Sequence, residues 1–548
     1  MKMQWSDSNY DGHEPSDSYG GYSDYEGHSG EVYQDQDYSE SHHQYSQPDY
    51  IIPANLKDFL IYFHKVITDQ DLYEIQNAYE NGFNKLTDRY FRNTPWPETA
   101  AVSNIVNDEL FLTLYRELYY RHLYARVPTK TTLQHRIDSY FNYCSLFNYI
   151  LNDNEPVPLD LPNQWLWDII DEFIYQFQSF TIYRSAIEQR TPQEKSALQR
   201  NPKVWNVHSV LNALHSLVEK SNINRQLEVY TSGGDPDSVA GVFGQHALYK
   251  MLGYFSLIGL LRMHSLLGDY YQALKVLENI DFNQTNKYSC VPACQITTFY
   301  YVGFAYMMMR RYQDAIRTFS NILLYIQRTE QMFQYKVQLY DQINKMNDKM
   351  YMLLAICLVL HPMRIDESVH FRLREKCGDS MLKMQMGSIN DFEQCFSRAC
   401  PKFLSPVTPD YEKENMTFSK YPYELQQKVF LREVEQQFNS LNIRSFLKLY
   451  TTLPIPKLAA MIDISEHELH TQLMCFKHKM KNLVWTKGTS GLDGEFQSTS
   501  ELDFYINRDM IHVADTKVAN RYGDYFIRQI HRFQEVIDTM KYISNSTF

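Results

Sequence analysis

The sequence lacks the long hydrophobic runs and the regular cysteine spacing that mark membrane, secreted or zinc-binding proteins. Its most apolar stretch, residues 350–360, covers 11 residues, whereas a membrane-spanning helix needs about 20. No apolar core of a secretory signal peptide occurs at the N-terminus. The 8 cysteines form no C-x-x-C pair, a pattern typical of free thiols in a reducing compartment. We therefore expect a cytoplasmic protein without membrane contact, in which residues 350–360 form a buried helix.

Motifs of common catalytic and cofactor sites are also missing. The chain has no Gly-Lys dipeptide, which excludes a Walker-type phosphate loop, and neither G-x-S-x-G nor H-E-x-x-H occurs. The nearest metal-like element is His467 with His470, which lie three residues apart with no third ligand nearby. A solvated pair is the favoured interpretation. We predict that the protein is not an enzyme and takes no cofactor, metal or small-molecule substrate.

Negative charge is concentrated in the first 50 residues. This segment holds 11 acids and one base, and it contains 8 tyrosines but no Leu or Ile. Its balance of −10 leaves only −2 of the total −12 for the remaining 498 residues, which argues against a strongly basic nucleic-acid coat. Residues 1–50 cannot bury enough apolar surface to offset chain ordering. We predict a disordered acidic tail, which is either a partner-binding segment or a plain solvated extension.

From residue 51 onward the apolar pattern is helical. Apolar residues recur at spacings of three and four, as in Phe59-Leu60-x-x-Phe63 and Leu72-x-x-Ile75. Alternating, strand-like patterns are scarce before residue 480. Proline- and glycine-rich breaks separate the helical segments; they lie at residues 94–97, 155–158, 232–236 and 401–422. The body is predicted to be mainly α.

One internal repeat is visible. Tyr270-x-x-Ala273-Leu274 and Tyr312-x-x-Ala315-Ile316 are 42 residues apart. In a helix–turn–helix repeat the small Ala allows close helix packing, while the Tyr packs at the turn. The pair favours a TPR- or HEAT-like solenoid, and chance similarity of two amphipathic helices is the alternative.

The C-terminal third contains the pattern of a winged helix. Helices are predicted at Ile443–Tyr450, at Ile455–Ile462 and from Ser465, where Glu468 completes a capping-box pattern. A Gly/Ser/Thr-rich loop follows at residues 486–500. Two alternating runs, 504–506 and 511–513, then flank a turn at 507–509. Three helices followed by a hairpin predict a winged helix.

Two sets of residues in this region are candidate contact sites. The first turn of the third helix carries Glu466 and Glu468, which phosphate would repel, so reading of DNA sequence is disfavoured. Lysines near the other end are candidates for weak RNA contact, with a solvated helix end as the alternative: Lys477, Lys479 and Lys481. The last helix, residues 521–544, carries an apolar seam at 4-3-4-3 spacing, formed by Phe526, Ile530, Phe533, Ile537 and Met540. This seam either packs back on its own chain or joins helices of other chains.

A helical array followed by a winged helix and a seam helix resembles the PCI module of proteasome-lid, COP9 signalosome and initiation factor 3 subunits. Several sequence segments point to one family more specifically. Thr94-Pro95-Trp96-Pro97-Glu98 and residues 59–64, 73–77, 79–86 and 114–122 resemble the L-subunit family of eukaryotic translation initiation factor 3. The resemblance runs from about residue 50 to the end and does not extend to the acidic tail.

The resemblance implies a non-catalytic scaffold subunit that supports assembly on the small ribosomal subunit and recruitment of mRNA and initiator tRNA. Its implied partners are the other PCI- and MPN-type subunits of the factor and, through mRNA or rRNA, nucleic acid. In that family winged helices align side by side and C-terminal helices form a shared bundle, which here correspond to residues 504–513 and to the seam. Two alternatives remain: a PCI scaffold of a lid- or signalosome-like complex, and a direct RNA-binding winged helix.

The predicted domain organisation has four parts. Residues 1–50 form the tail and 51–304 the N-terminal helical repeats. Residues 305–515 form a PCI domain, with a helical part at 305–430 and a winged helix at 440–515. Residues 520–544 form a C-terminal bundle helix.

Overall fold

The computed structural model describes residues 52–546, apart from 153, 281–289, 334–336, 412–418, 487, 489 and 499–501. The predicted disordered tail, residues 1–50, therefore lies outside the described residues. The described chain is mainly helical and divides into two compact units. The first contains the described residues up to Thr298 together with 402–422, and the second contains 299–401 together with 423 onward.

The first unit is built from short and long helices. They are α1 (Ala54–Asp69), α2 (Leu72–Asn77), α3 (Asn84–Tyr90), α4 (Thr99–Ser103), α5 (Glu109–Arg126), α6 (Leu133–Leu151), α7 (Asn163–Ser185), α8 (Pro192–Arg200), α9 (Val207–Ser221), α10 (Ile223–Thr231), α11 (Gly241–Gln245), α12 (Ala247–Leu267) and α13 (Tyr270–Lys275). A π-helical turn, Ala78–Phe83, joins α2 to α3, and 3₁₀ turns lie at Pro128–Lys130, Ile187–Gln189 and Pro236–Ser238.

The core of this unit is centred on α12. Of its 21 residues, 16 are buried, as expected of a helix that is apolar on all sides. It packs against α7 and α9. The approach to α9 is close, since a Cβ built on Gly253 would lie 1.9 Å from Ser221 Oγ. Only glycine fits at this crossing.

The second unit contains the remaining elements. They are α14 (Pro292–Met308, which begins in the first unit), α15 (Tyr312–Phe333), α16 (Val337–Leu360), α17 (Glu367–Gln385), α18 (Ile389–Ala399), α19 (Tyr421–Leu447, whose first two residues belong to the first unit), β1 (Thr452–Pro454), α20 (Ile455–Ile462), α21 (Glu466–Lys479), β2 (Lys481–Val484), β3 (Glu495–Ser498), β4 (Leu502–Asn507), β5 (Met510–Asp515) and α22 (Thr516–Ser546).

Residues 350–360 form the buried end of α16, as predicted. Met350, Leu353 and Cys357 are each 0% exposed. No helix in the described ranges is both long and apolar enough to cross a bilayer.

The two copies of the sequence repeat form the same helix–turn–helix. α12 and α14 each end in a left-handed residue, Gly268 (φ 85°) and Arg310 (φ 65°). In each copy the next residue donates its backbone N–H to a carbonyl five residues earlier, from Asp269 to His264 and from Arg311 to Tyr306, which is the Schellman pattern. Ala273 and Ala315 are both 0% exposed. The predicted helix–turn–helix with a buried alanine is therefore present in both copies of the repeat.

Several boundaries in the C-terminal part follow the sequence. α20 spans the predicted Ile455–Ile462, and the Ser465 hydroxyl accepts a hydrogen bond from the Glu468 backbone N–H at 3.2 Å. β4 and β5 form the predicted antiparallel hairpin, with Phe504 opposite Val513. The turn is one residue tighter than expected, because Asn507 pairs with Met510.

Other features of this part differ from the prediction. The helix expected at Ile443–Tyr450 is the end of α19, which begins at Tyr421. Residues 495–498, expected within a loop, form β3 and pair with β2. β1 adds a third strand, giving a sheet of order β1-β5-β4. Strands of three or four residues are too short to show a clear alternation of apolar and polar side chains. Such strands are recognised only when the strands that pair with them are known.

Candidate interaction surfaces

α22 presents an apolar surface to solvent. Its 31 residues span about 46 Å at 1.5 Å per residue. The five predicted seam side chains are all at least half exposed; they are Phe526, Ile530, Phe533, Ile537 and Met540. Exposure ranges from 50% for Ile537 to 67% for Phe533 and Met540.

The apolar surface of α22 is wider than the seam alone. Four further large side chains on the same helix are more than half exposed: Tyr522, Tyr525, Ile527 and Val536. Tyr522, Ile527 and Val536 flank the seam, so the surface covers more than the two rows of a two-stranded coiled coil. Large exposed apolar patches are a common feature of interaction sites. In the described part of the chain the seam is exposed, and both roles expected of it stay predictions.

The three candidate RNA-contacting lysines do not form one free surface. Lys477 Nζ donates to the Phe504 carbonyl oxygen at 2.6 Å and lies 3.4 Å from Asp503 Oδ1. Lys479 is buried and its Nζ lies 2.6 Å from Glu433 Oε2. Lys481 is exposed at the start of β2. Two of the three ammonium groups thus have protein partners that an RNA phosphate would have to replace.

The metal-like histidines lie on the solvent side of α21. His467 and His470 are exposed, whereas Leu469 between them is buried. Among the residues that the structure describes, no three His, Cys, Asp or Glu side chains are grouped so as to hold a metal ion. The eight cysteines are free thiols.

Sequence reasoning missed a buried polar contact in the second unit. Arg311, 2% exposed, pairs with Asp314 and donates to three backbone carbonyls in residues 491–493. A signal was present in the internal repeat. The first copy has Gly268-Asp269 at the turn, and the second has Arg310-Arg311 at the same positions. Two adjacent arginines at a turn that favours glycine indicate a specific contact.

Comparisons with known proteins agree with the resemblance. A family model described as RNA polymerase I-associated factor PAF67 matches residues 135–533. Eukaryotic translation initiation factor 3 subunit L of Danio rerio is 61% identical over 546 residues, which cover 96% of this chain and 95% of that protein. The subunit L proteins of Gallus gallus and Homo sapiens are each 59% identical over 561 residues, with 98% of this chain and 99% of theirs covered. At this identity over nearly the whole length, the chain belongs to the family of eukaryotic translation initiation factor 3 subunit L.

Proposed function

We propose that this chain is a non-catalytic scaffold subunit of eukaryotic translation initiation factor 3 and works in the cytoplasm. The observation that carries the proposal is the identity of about 60% over nearly the full length to proteins named as subunit L of that factor. Through the factor, the chain supports assembly on the small ribosomal subunit and recruitment of mRNA and initiator tRNA. Its direct contacts are other PCI- and MPN-type subunits.

The proposal assigns a PCI module to residues 305–515, preceded by solenoid repeats at 51–304. Two features support it. The repeat turns at Gly268 and Arg310 have the same geometry, as expected of equivalent helix–turn–helix repeats. The elements α20, α21 and the β4–β5 hairpin, with the end of α19, enclose one apolar core that includes Ile443, Leu473 and Phe504. This is the arrangement expected of a winged helix at 440–515.

The surface for other subunits is assigned to the α22 seam, within the predicted bundle helix 520–544. Its support is the exposure of Phe526, Phe533 and Met540 in the described chain. In a bundle these side chains would bury against helices of neighbouring subunits, and burial of each large apolar group contributes about 1.5–3 kcal/mol.

The proposal is tested by affinity purification of the tagged chain with mass spectrometry, together with sucrose-gradient sedimentation. We expect the other initiation factor 3 subunits to co-purify and the chain to sediment with small ribosomal subunits. Recovery of proteasome-lid or signalosome subunits instead would replace the proposal with the corresponding PCI scaffold. RNA recovered without other subunits would favour a direct RNA-binding module, which the partners of Lys477 and Lys479 do not support.

A further inference from the structure

The tip of the β2–β3 hairpin is held by one buried arginine. Arg311 Nη1 donates to the carbonyl oxygens of Gly491 and Leu492, both at 3.0 Å, and Nη2 donates to that of Asp493 at 2.9 Å. The Tyr306 hydroxyl donates to the same Gly491 oxygen at 2.7 Å. A planar guanidinium has donors in a fixed fork, and here the fork spans three consecutive carbonyls. The hairpin tip is thereby bound to the turn between α14 and α15.

Asp314 completes this contact from the opposite side. Its Oδ2 accepts from Arg311 Nε at 2.8 Å, and both of its carboxylate oxygens lie 3.2 Å from the Trp485 backbone nitrogen. Arg317 Nη1 donates to the Trp485 carbonyl oxygen at 3.2 Å. A buried charge pair is stable only when its remaining donors and acceptors are satisfied. Here the backbone of the hairpin tip satisfies them.

A second network of ion pairs ends at the same turn. Glu433 on α19 lies 2.6 Å from Lys479 Nζ at the end of α21 and 3.2 Å from Arg310 Nε. Arg310 and Arg311 are adjacent, so the turn between α14 and α15 contacts α19 through Arg310 and the β2–β3 hairpin through Arg311. Its link to the end of α21 runs through Glu433.

The backbone at Arg310 places a side chain where glycine is favoured. Its φ of 65° lies in the left-handed region, where glycine is favoured and a side chain is strained. The first repeat copy has Gly268 at the equivalent position, with φ 85°. A glycine would suit the backbone at position 310 better, and the arginine there gains the ion pair with Glu433.

We propose that Arg311 is a positioning residue that fixes the β2–β3 hairpin, and with it the predicted winged helix, on the helices α14 and α15. The helical part and the winged helix of the second unit then meet other subunits as one rigid body. This consequence for assembly rests on the proposed function, whereas the local fixation of the hairpin does not.

The test compares the full-length wild-type chain with Arg311→Lys and Arg311→Met. Lysine keeps the charge beside Asp314 but cannot reach three carbonyls, and methionine removes the charge. In the purified chains, hydrogen exchange measured by mass spectrometry should become roughly tenfold faster or more for the amides of β2 and β3, because several charge-assisted hydrogen bonds are lost. Exchange in α7 and α12 should stay unchanged. Incorporation of the tagged Lys variant into the initiation factor complex should fall severalfold.

The matched control is Arg328→Lys, since Arg328 is exposed on α15, the helix that directly follows Arg311; it should change neither readout. Unchanged β2–β3 exchange in Arg311→Lys would overturn the proposal even if Arg311→Met fails to fold. Faster exchange with normal incorporation would overturn the claim that the fixed hairpin matters for assembly. If the wild-type chain itself does not enter the complex, the proposed function fails, and the exchange result still decides whether Arg311 fixes the hairpin.

Discussion

Buried charge in the first unit is concentrated where α5 faces α7. The Tyr79 hydroxyl donates to Asp168 Oδ2 at 2.5 Å, and Glu117 accepts from Arg121 Nε at 3.0 Å and from Trp165 Nε1 at 3.3 Å. Burial raises the pKa of Asp168 to about 6, against the opposing effect of Arg121. Aromatic and guanidinium donors thus satisfy carboxyls that a fully apolar core would exclude.

Glu172, on α7 in the same region, provides a pH-dependent test. Burial raises its pKa from 4.5 to about 8, while its carboxyl accepts from Gln176 Nε2 at 2.7 Å. The unfolded chain ionises this group near 4.5 and the folded chain only near 8, so its contribution lowers stability as pH rises through that window. Glu172→Gln should remove this loss and stabilise the chain by on the order of 2 kcal/mol at pH 7, with little effect at pH 4.5.

The measurement is thermal or denaturant unfolding of both full-length chains between pH 4.5 and 8. Glu188→Gln, at an exposed position on the 3₁₀ turn after α7, is the control and should change the midpoint little at any pH. A difference between Glu172→Gln and wild type that stays constant over this range would contradict the raised pKa.

The strained turn residue Arg310 provides a second test at this scale. Arg310→Gly should relieve a backbone cost of about 1 kcal/mol while losing a partly exposed ion pair worth at most about 1 kcal/mol, so its stability should stay near wild type. Arg310→Ala loses the pair but keeps the strained φ, and should be roughly 1 kcal/mol less stable than the Gly variant. Urea unfolding compares the two, and equal stabilities would show that φ at this position carries no cost.

At the scale of elements, a substitution in the α22 seam tests the proposed interface without disturbing the fold, because the seam is exposed in the described chain. Phe533→Asp should leave the unfolding midpoint of the isolated chain nearly unchanged. Incorporation into the complex should fall about tenfold or more, since an unpaired carboxylate in a packed bundle costs several kcal/mol. Quantitative mass spectrometry of complexes purified through another subunit measures the loss.

His531→Asp is the matched control on the same helix. His531 is also exposed and lies about 160° around the helix from Phe533 at 100° per residue. Its incorporation should match wild type. Equal incorporation of both variants would remove the seam as an interface.

At the scale of the whole molecule, the uneven distribution of charge separates the tail from the body. Residues 1–50 carry −10 of the net −12 and no Leu or Ile, so they offer little apolar surface for a stable interface. Removing residues 1–45 should therefore leave incorporation and gradient sedimentation unchanged. A loss of incorporation on truncation would establish the tail as a partner-binding segment.

The sequence by itself determined the helical class, the main breaks between helices, the boundaries of α20 and the apolar seam of α22. These features depend on local periodicity and capping, which neighbouring residues in the chain specify. The repeat turn was also recognisable, because Tyr270 and Tyr312 precede their alanines at the same spacing. Residue pattern alone carried the family resemblance, which the relatives confirm.

Only the tertiary structure decided which lysines have partners within the protein, how long α19 is, and that residues 495–498 pair with β2. Lys479 and Lys481 are two residues apart in sequence, yet one is buried against Glu433 and the other is exposed. The contact of Arg311 with residues 491–493 spans about 180 positions. Such contacts depend on which distant segments fold against each other, and no local pattern encodes a partner that far along the chain.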